Sequence, residues 1–537
     1  MFNSFDIFDT IIGRLSFSGT NIFKMIEKKY HIENFATIRQ KCETKGIDNI
    51  YNRIKKSYPD LSIDWEIIKK YELELEYDLS FPINKYLEMV RPNDILVSDM
   101  YLEESDIRKI LLKHKLLENK LYVEPAHKSS GQFWELHPEA KKIITHYGDN
   151  SHSDYKMAKK FGVNGFHITG LDFLDSEIKI SLVSEQLSWI IRAVRLTNQN
   201  GNFMNKIFCE IVLPLGILIC LYLNIICKNN NINHIIFVSR DGYWFKYIYN
   251  ILFPQFPTTY FYLSRKMVET NSYGKTIDDI KNIEGKKLIF DLFGTGKTLN
   301  DFVSKSGLEN IVSFMCFNHH KSKMMSIQNL AFRYMQYIDY VESLFSAPHP
   351  SVIGYDLDSN PIFKNIEYDI GLLKDYMEGI KTFEKYFNTL NKHIPILSET
   401  TNDLELELIK KTIFYMLNIG KHSFIKDIHN LINDNREPDK NYGYNFINPD
   451  IKYYIQKVIK FKSNGLCLNL AKQNIVDDIN YLVEYLNWVC VINIDLLNID
   501  LLKDIDLVIL DNIDDFNKIE YILEKFNKLD KVIIINK

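Results

Sequence analysis

Four short segments in the first third of the chain carry the residue types that phosphate chemistry requires. They are Phe5-Asp6-Ile7-Phe8-Asp9-Thr10, Val97-Ser98-Asp99, His127-Lys128-Ser129-Ser130-Gly131 and Gly148-Asp149-Asn150-Ser151-His152-Ser153-Asp154. Together they offer a carboxylate nucleophile, a hydroxyl, an ammonium and two further carboxylates suited to a hard metal ion. A carboxylate is a poor nucleophile toward an anionic phosphate until cations neutralise the charge around both. In this set Asp6 would attack phosphorus and Asp149 would help to hold Mg²⁺. Ser98 and Lys128 would stabilise the phosphoryl oxygens, and Asp154 would orient the surroundings of the metal.

These residues can act together only if the fold carries them to one place. Ser4 to Phe8 is a short apolar run that places Asp6 at the C-terminal end of a strand, where open α/β sheets bind ligands. Asp94-Ile95-Leu96-Val97 reads as a second buried strand that delivers Ser98. Leu121-Tyr122-Val123 is a third, followed by Lys128, and Ile143 to Tyr147 a fourth, ending in a Gly148-Asp149 turn. Residues 15 to 90 carry helical spacing with few turn signals, which predicts an inserted helical cap. Strands alternating with helical segments predict an α/β protein with a parallel, doubly wound sheet.

The order and spacing of the four segments resemble the haloacid-dehalogenase-like (HAD) hydrolase superfamily over roughly residues 1 to 175. The resemblance implies a Rossmann-like phosphatase domain over residues 1–180, with its cap at about 15–90. By the same resemblance Asp6 is the nucleophile and Thr10 the first-motif threonine, on the substrate side. Ser98 is the second-motif hydroxyl, Lys128 the motif lysine, and Asp149 and Asp154 the final acidic pair. Mg²⁺ would be held by Asp6, the Phe8 backbone carbonyl, Asp149 and Asp154. One position departs from the pattern. Phosphatases of the superfamily carry a second aspartate, the general acid and base, two residues after the nucleophile, and here that residue is Phe8. Asp9 is the nearest replacement, provided the local turn aims it differently. A good leaving group or a base borrowed from elsewhere would also relax the need, and a scaffold that has lost turnover is the alternative.

A second constellation follows in the middle of the chain. His234 to Val238 reads as a strand ending in Ser239-Arg240-Asp241-Gly242. Tyr260 to Leu263 leads to Ser264-Arg265-Lys266, and Lys287 to Phe290 leads to Asp291-Leu292-Phe293-Gly294-Thr295-Gly296-Lys297-Thr298. A strand, an acid and then Thr-Gly-Lys-Thr entering a helix makes a small anion cradle from backbone N–H groups and hydroxyls. It is not a Walker A loop, because the glycine required five residues before Gly296 is Asp291.

The segment resembles the phosphoribosyl-pyrophosphate (PRPP) loop of type I phosphoribosyltransferases. That resemblance implies a phosphoribosyltransferase-like domain over 196–365. Asp291 would hold the ribose hydroxyls, and Thr295, Gly296, Lys297 and Thr298 would cradle the 5-phosphate. Arg240, Asp241 and Gly242 fall where such enzymes have their pyrophosphate loop, and Arg265 and Lys266 would neutralise the leaving diphosphate. The first acid of the pair is replaced by Phe290 and the purine-enzyme base by Gly294. The base therefore stays open between Asp241 and Glu342. The whole arrangement, with Val341 to Leu344 and Ala347-Pro348-His349, resembles bacterial two-domain proteins of capsule and lipopolysaccharide synthesis. These pair a HAD domain with a PRPP-dependent ribofuranosyltransferase. The implied partners are PRPP and a glycan or sugar acceptor, and a lipid-linked acceptor would bring the chain to a membrane surface.

Size and composition frame these readings. At 537 residues the chain is too long for one core. A net charge of -4 argues against a general nucleic-acid binder. Seven scattered cysteines without a CxxC pair fit a reducing cytoplasm and give neither a zinc nor a disulfide pattern. Ile211 to Cys227 is at the short limit for a membrane span and reads better as a buried core helix. His319, His320 and His349 read as satisfied polar histidines. Residues 366–440 form a helical segment and linker, the linker being 433–444. Residues 441–537 read as a small α/β domain whose role stays open between docking and a degenerate nucleotide fold. Two rivals to the bifunctional enzyme remain. One is a HAD phosphatase whose middle domain only binds a sugar phosphate, and the other a non-catalytic assembly protein.

Overall fold

The structure, a computed structural model, describes residues 2–59, 63–116, 119–198, 203–294, 296–318, 341, 344–365, 371–397 and 403–419, with four short strands at 466–468, 489–491, 508–512 and 532–536. His319, His320, Glu342, Thr295 and the 433–444 linker lie outside the described residues. The chain divides into two compact units, one of Met1–Phe290, Leu308–Val312 and Phe345–Ser423, the other of Asp291–Gly307, Ser313–Leu344 and Phe424–Lys537. It is a mixed α/β protein with parallel sheets.

In the first unit, the N-terminal part is built on strands β1 (Phe2–Asp6), β4 (Ile95–Ser98), β5 (Lys120–Val123), β6 (Ile143–Gly148) and β7 (Asn164–His167). Two further strands, β2 (Ile12–Arg14) and β3 (Ser80–Pro82), pair antiparallel as a separate ribbon. The five-stranded sheet runs β5-β4-β1-β6-β7 with every neighbouring pair parallel. Its register sets Asp6 beside Val97 and Phe5 beside Tyr147, so the ends of β1, β4 and β6 share one edge. The Phe5 and Tyr147 rings stack at 4.8 Å, and behind them Ile95, Val97, Phe133, Trp134 and Ile143 fill the core.

Strand β1 begins and ends two residues earlier than its apolar run suggests. The Ile7 carbonyl accepts from the N–H groups of Ile11 and Ile12, at 3.0 and 2.9 Å, and this tight turn ends the strand at Asp6. The chain then leaves through β2 into four helices, α1 (Gly19–Tyr30), α2 (Phe35–Lys41), α3 (Ile47–Ser57) and α4 (Trp65–Asp78), and returns through β3. Ser18 caps α1 and Asp64 caps α4, each accepting a first-turn N–H. In α3 the buried Ile47, Ile50, Tyr51 and Ile54 recur at helical spacing.

The buried stripe of α4 contains two carboxylates, Glu72 and Glu76, which an apolar pattern alone would exclude. Each is matched by a guanidinium. Arg39 grips Glu72 with two bonds of 2.8 and 3.0 Å, both side chains being fully buried, and Tyr51 adds a third donor at 2.7 Å. Arg14 donates to Glu76 at 2.9 Å. Arg39 Nη1 meets no hydrogen-bond partner among the described residues, and the guanidinium packs instead on the Phe23 and Tyr101 rings, at 4.6 and 4.4 Å.

Farther along the first unit, the apolar helical stretch Met204–Asn229 is 94% buried over its most hydrophobic window, as a core helix should be. Strands β8 (His234–Val238), β9 (Thr258–Phe261), β10 (Lys287–Gly294) and β11 (Ile311–Asn318) form a sheet of order β11-β10-β8-β9, with β8 parallel to both neighbours. Strands β12 (Val352–Tyr355) and β13 (Pro361–Phe363) pair antiparallel, and helices Gly371–His393 and Asp403–Ile419 follow. The second unit takes β10 from Asp291 onward, the helix Lys297–Ser306 and β11 from Ser313 onward. It also contains two parallel strand pairs, Leu466–Leu468 with Val489–Val491 and Val508–Asn512 with Val532–Asn536.

Candidate functional site

At the shared edge of the five-stranded sheet, the four sequence segments converge. Asp6 is the last residue of β1 and is buried. Its carboxylate pairs with the Lys128 ammonium, which also donates to Asp154 at 2.7 Å. Lys128 is 2% exposed, so its charge is spent inside the site. It rides on the short helix His127–Ser130, whose first N–H groups are held by Asp99. Lys128 N and Ser129 N donate to that carboxylate at 2.9 and 3.1 Å. Ser98 ends β4 and accepts from Met100 N at 3.3 Å.

Asp149 and Asp154 lie on opposite sides of the turn that follows β6. Asn150 caps a wide, π-type turn over Ser151–Met157, and that turn carries Asp154 back toward the sheet. Asp154 is held by four donors. Its Oδ1 accepts from Lys128, from His146 Nε2 at 3.2 Å and from the Ser153 hydroxyl at 3.2 Å, while Oδ2 accepts from Asn150 N at 3.0 Å. His146 is fully buried and its Nδ1 meets the Ser4 hydroxyl at 2.7 Å, with Trp134 against its ring. Thr10 stands between the other two carboxylates. Its hydroxyl lies 3.2 Å from Asp6 Oδ2 and 3.3 Å from Asp149 Oδ1, and it accepts from Asp149 N at 3.2 Å. Thr10, expected on the substrate side, is thus placed between Asp6 and Asp149.

Electrostatics follow from this crowding. Burial pushes the Asp6 carboxyl up to about 8, against the pull of Lys128 and with repulsion from Asp154 and Asp149. Burial also raises Asp149, to about 6, with help from Asp9 and Asp154. Asp154 goes the other way: burial opposes its charge, but Lys128 and His146 outweigh that and hold it well below the usual carboxylate range. Lys128 is desolvated too, yet Asp6 and Asp154 keep it firmly protonated. His146 is shifted downward by burial.

The donor set fits a hard divalent cation. Carboxyl oxygens of Asp6, Asp149 and Asp154 lie within 4.8 Å of one another, and two of these groups, Asp6 and Asp154, pair with the one ammonium of Lys128. Mg²⁺ favours such oxygen ligands and is usually held by one or two carboxylates. Asp154 already accepts four donors, three on Oδ1 and one on Oδ2, so Oδ2 is the oxygen it has left for a cation beside Asp6 and Asp149. A second acidic cluster, Glu74, Asp78 and His393, is already bridged by Lys392 at 3.1 and 2.8 Å.

Phe8 and Asp9 occupy the turn after β1. Phe8 is buried under the Arg14 guanidinium, which lies 4.2 Å from its ring centre. Asp9 has a left-handed φ of 58° and meets Arg14 at 3.5 Å through Oδ2. Sequence reasoning gave no role to Asp99, His146 or Arg14. Asp99 stands in the quoted Val97-Ser98-Asp99 segment, but the N–H groups it holds belong to Lys128 and Ser129, 29 and 30 residues on, which local spacing does not indicate.

The chain matches no protein-family model and no curated protein.

The mid-chain residues fall in both units. In the first, Asp241 is buried at the start of helix Gly242–Leu252, and a Cβ on Gly242 would lie 2.9 Å from Phe237 Cβ. The turn of Arg240 is tied to that of Arg265 and Lys266, because the Ser239 hydroxyl donates to Leu263 O at 2.9 Å and accepts from Leu263 N at 3.0 Å. Arg265 and Lys266 open a helix capped by Ser264, and both are exposed. His349 is satisfied, by Tyr260 OH at 2.9 Å and Pro350 O at 2.8 Å. In the second unit β10 continues through Gly294, so Asp291 lies within the strand and does not end it. Gly296, at φ 73°, precedes the helix that Lys297 and Thr298 begin. Thr295 is outside the described residues.

Proposed function

We propose that the chain is a bifunctional, Mg²⁺-dependent enzyme of surface-glycan synthesis. Its middle region, resembling type I phosphoribosyltransferases, would transfer 5-phosphoribosyl from PRPP to a sugar hydroxyl. Its N-terminal HAD-like domain would then remove the 5-phosphate. The observation that carries the phosphatase half is the convergence of Asp6, Lys128, Thr10 and Asp149 at one edge of a parallel sheet.

In that domain Asp6 attacks phosphorus, the bond from phosphorus to the sugar oxygen breaks, and an aspartyl-phosphate forms on Asp6. Water then attacks the phosphorus, returning the Asp6 carboxylate and orthophosphate. Lys128 offsets charge on the phosphoryl oxygens, and Ser98 offers a hydroxyl beside them. Asp154 fixes the Lys128 ammonium, and the Asp99 cap fixes the helix that bears it. Asp6, Asp149, Asp154 and the Phe8 carbonyl would hold Mg²⁺, which supplies positive charge at nucleophile and phosphate. In the transferase half, loss of diphosphate leaves an oxocarbenium-like ribose, so a firm grip on phosphate and diphosphate contributes most. Asp291, Gly296, Lys297 and Thr298 would hold the phosphoribosyl end, Thr295 with them. Arg240, Gly242, Arg265 and Lys266 would hold diphosphate, with Asp241 as base. Two activities in one chain raise the effective concentration of the shared intermediate.

One observation favours a narrower reading, a phosphatase whose middle region only binds a sugar phosphate. Phe290, at the first-acid position, is fully buried against Phe237 and Phe245 and is part of the core. A single assay separates the two: the chain is incubated with PRPP, Mg²⁺ and candidate glycan acceptors, and diphosphate and orthophosphate are followed separately. Acceptor-dependent diphosphate supports the bifunctional enzyme, and orthophosphate alone supports the narrower one. Neither product from any phosphorylated sugar would overturn both.

A further inference from the structure

Helix Glu185–Thr197 buries two arginines and provides for them differently. Arg195 has an acid of its own: it donates to Glu177 at 2.7 and 2.9 Å, and to the Asp172 carbonyl at 2.8 Å. Arg192 forms no ion pair among the described residues. Its Nε donates to the Leu171 carbonyl at 2.7 Å, and among those residues its two terminal amino groups meet no hydrogen-bond partner. The residue is 3% exposed, yet these amino groups border solvent, unlike Arg39 Nη1, which is sealed in the core. A buried cation whose donors stay empty is costly unless a ligand fills them.

The surroundings give that opening a shape. The guanidinium lies on the rings of Phe17 and Phe173, 5.0 and 5.6 Å from their centres, and these half-buried rings meet at 4.6 Å. Phe17 is held at a left-handed φ of 65°, which a bulky residue adopts only where its surroundings demand it. Both rings are borne on chain that leaves the reactive edge. Phe17 follows β2, its N–H donating to the Arg14 carbonyl at 3.0 Å, and Phe173 follows β7, beyond which Ile168 N donates to Gly148 O at 2.8 Å. Burial pulls the Arg192 guanidinium below its ordinary value, and Asp9 offsets part of that. Asp9 also acts on Asp149, so the guanidinium and the acidic site share a neighbourhood.

We propose that Arg192, with Phe17 and Phe173 beside it, is a carboxylate subsite: the N-terminal domain takes a phosphorylated ribose joined to an acidic sugar, whose carboxylate the two open amino groups hold. The substrate class rests on the phosphatase reading; the subsite itself does not. Two amino groups of one guanidinium form a planar fork that matches a carboxylate. A single cation partly offset by Asp9 balances a monoanion, and not a phosphate dianion. The flanking rings offer apolar faces to the carbons of a sugar ring.

Calorimetric titration of the full chain tests the subsite without turnover. Methyl glucuronide should bind about 10-fold or more tightly than methyl glucoside, and Arg192→Gln should erase the difference. Arg192→Lys, which keeps the charge and loses the fork, should retain only part of it, and it decides the matter if Arg192→Gln does not fold. A wild type that binds the two glycosides alike would overturn the inference, as would a preference that survives undiminished in either variant. If inorganic phosphate displaces the glucuronide, the fork is a general anion site and the carboxylate assignment falls. With turnover, a 5-phosphoribosyl glucuronide should exceed the matching glucoside about 10-fold in kcat/KM, through KM, and the ratio should fall to about 1 in Arg192→Gln. Equal kcat/KM values in the wild type would overturn the assigned substrate class. If the wild type binds the glucuronide and releases orthophosphate from neither compound, the phosphatase reading fails and the subsite stands.

Discussion

Gly148 and Asp154 approach so closely that a Cβ on residue 148 would lie 2.3 Å from the Asp154 carboxylate carbon. Glycine is therefore required here by contact. Gly148→Ala should push Asp154 off Lys128, His146 and Asn150 together. Urea denaturation should show a loss of about 1–3 kcal/mol, and orthophosphate release should fall about 100-fold or more. Wild-type turnover in this variant would mean that the placement of Asp154 is irrelevant to the chemistry.

Asp6→Asn removes the proposed nucleophile while keeping its shape. Orthophosphate release should drop about 1,000-fold or more. Where transfer from PRPP proceeds, the 5-phosphorylated product should accumulate, visible by mass spectrometry. An Asp6→Asn enzyme that dephosphorylates normally would remove the basis of the phosphatase half.

The metal-free chain should lose stability as pH rises from about 4 to 8. Asp6 is raised from 3.8 to about 8 and Asp149 from 3.8 to about 6, so over that window the folded state holds protons that the unfolded state has released. Each such group contributes a slope of at most about 1.4 kcal/mol per pH unit. Asp154, lowered, acts only below its unfolded value, where its stabilisation fades as acid is added. Thermal melts with EDTA should fall toward pH 8, and added Mg²⁺ should raise the midpoint more at pH 8 than at pH 5.5. Equal Mg²⁺ effects at both pH values would contradict a carboxylate-held cation.

Arg39→Met should be among the most damaging changes far from the chemistry. It leaves Glu72 fully buried with only Tyr51 as donor, a loss of about 3–5 kcal/mol in chemical denaturation. Arg39→Met/Glu72→Leu should recover most of it, since no buried charge is left alone. A double variant no better than the single one would show that packing, and not charge, dominates there.

Asp291→Ala should abolish acceptor-dependent diphosphate release while leaving hydrolysis of an added sugar 5-phosphate intact. Product analysis by anion-exchange chromatography checks both in one reaction. Loss of both together would show that Asp291 supports the fold and not transfer.

The parts of the fold legible in the sequence are those where local pattern and tertiary need coincide. Strands β4 and β8 carry the unbroken apolar runs Ile95–Val97 and Ile235–Val238, and β1, β5 and β6 combine apolar residues with a following turn. The ends of β1, β4 and β6 put Asp6, Ser98 and Asp149 at one edge. Strand β7 escaped because, in Asn164–His167, only Gly165 is buried. The cap was legible as helical, but its charged interior was not. Glu72, Glu76, Arg39 and Arg14 read as surface residues until their partners, 33 and 62 positions away, are known. The same holds for His146, which looks like a strand residue and proves to be a brace for Asp154. Pairings of that kind depend on three-dimensional approach, which no local spacing encodes.

The excursion that carries α1 to α4 departs at Ile12–Arg14 and comes back at Ser80–Pro82, the two limbs zipped as one ribbon. The helices between them join the chain through that one ribbon, while Asp6 is seated on a separate set of strands. The excursion also touches the rest of its unit from outside the ribbon, through the Tyr101 hydroxyl on Glu76 at 3.2 Å and the Lys113 ammonium on the Tyr77 and Asp78 carbonyls at 2.6 and 3.0 Å. A graft between the two limbs would therefore have to keep Glu76 and the end of α4 if the sheet edge is to stay undisturbed.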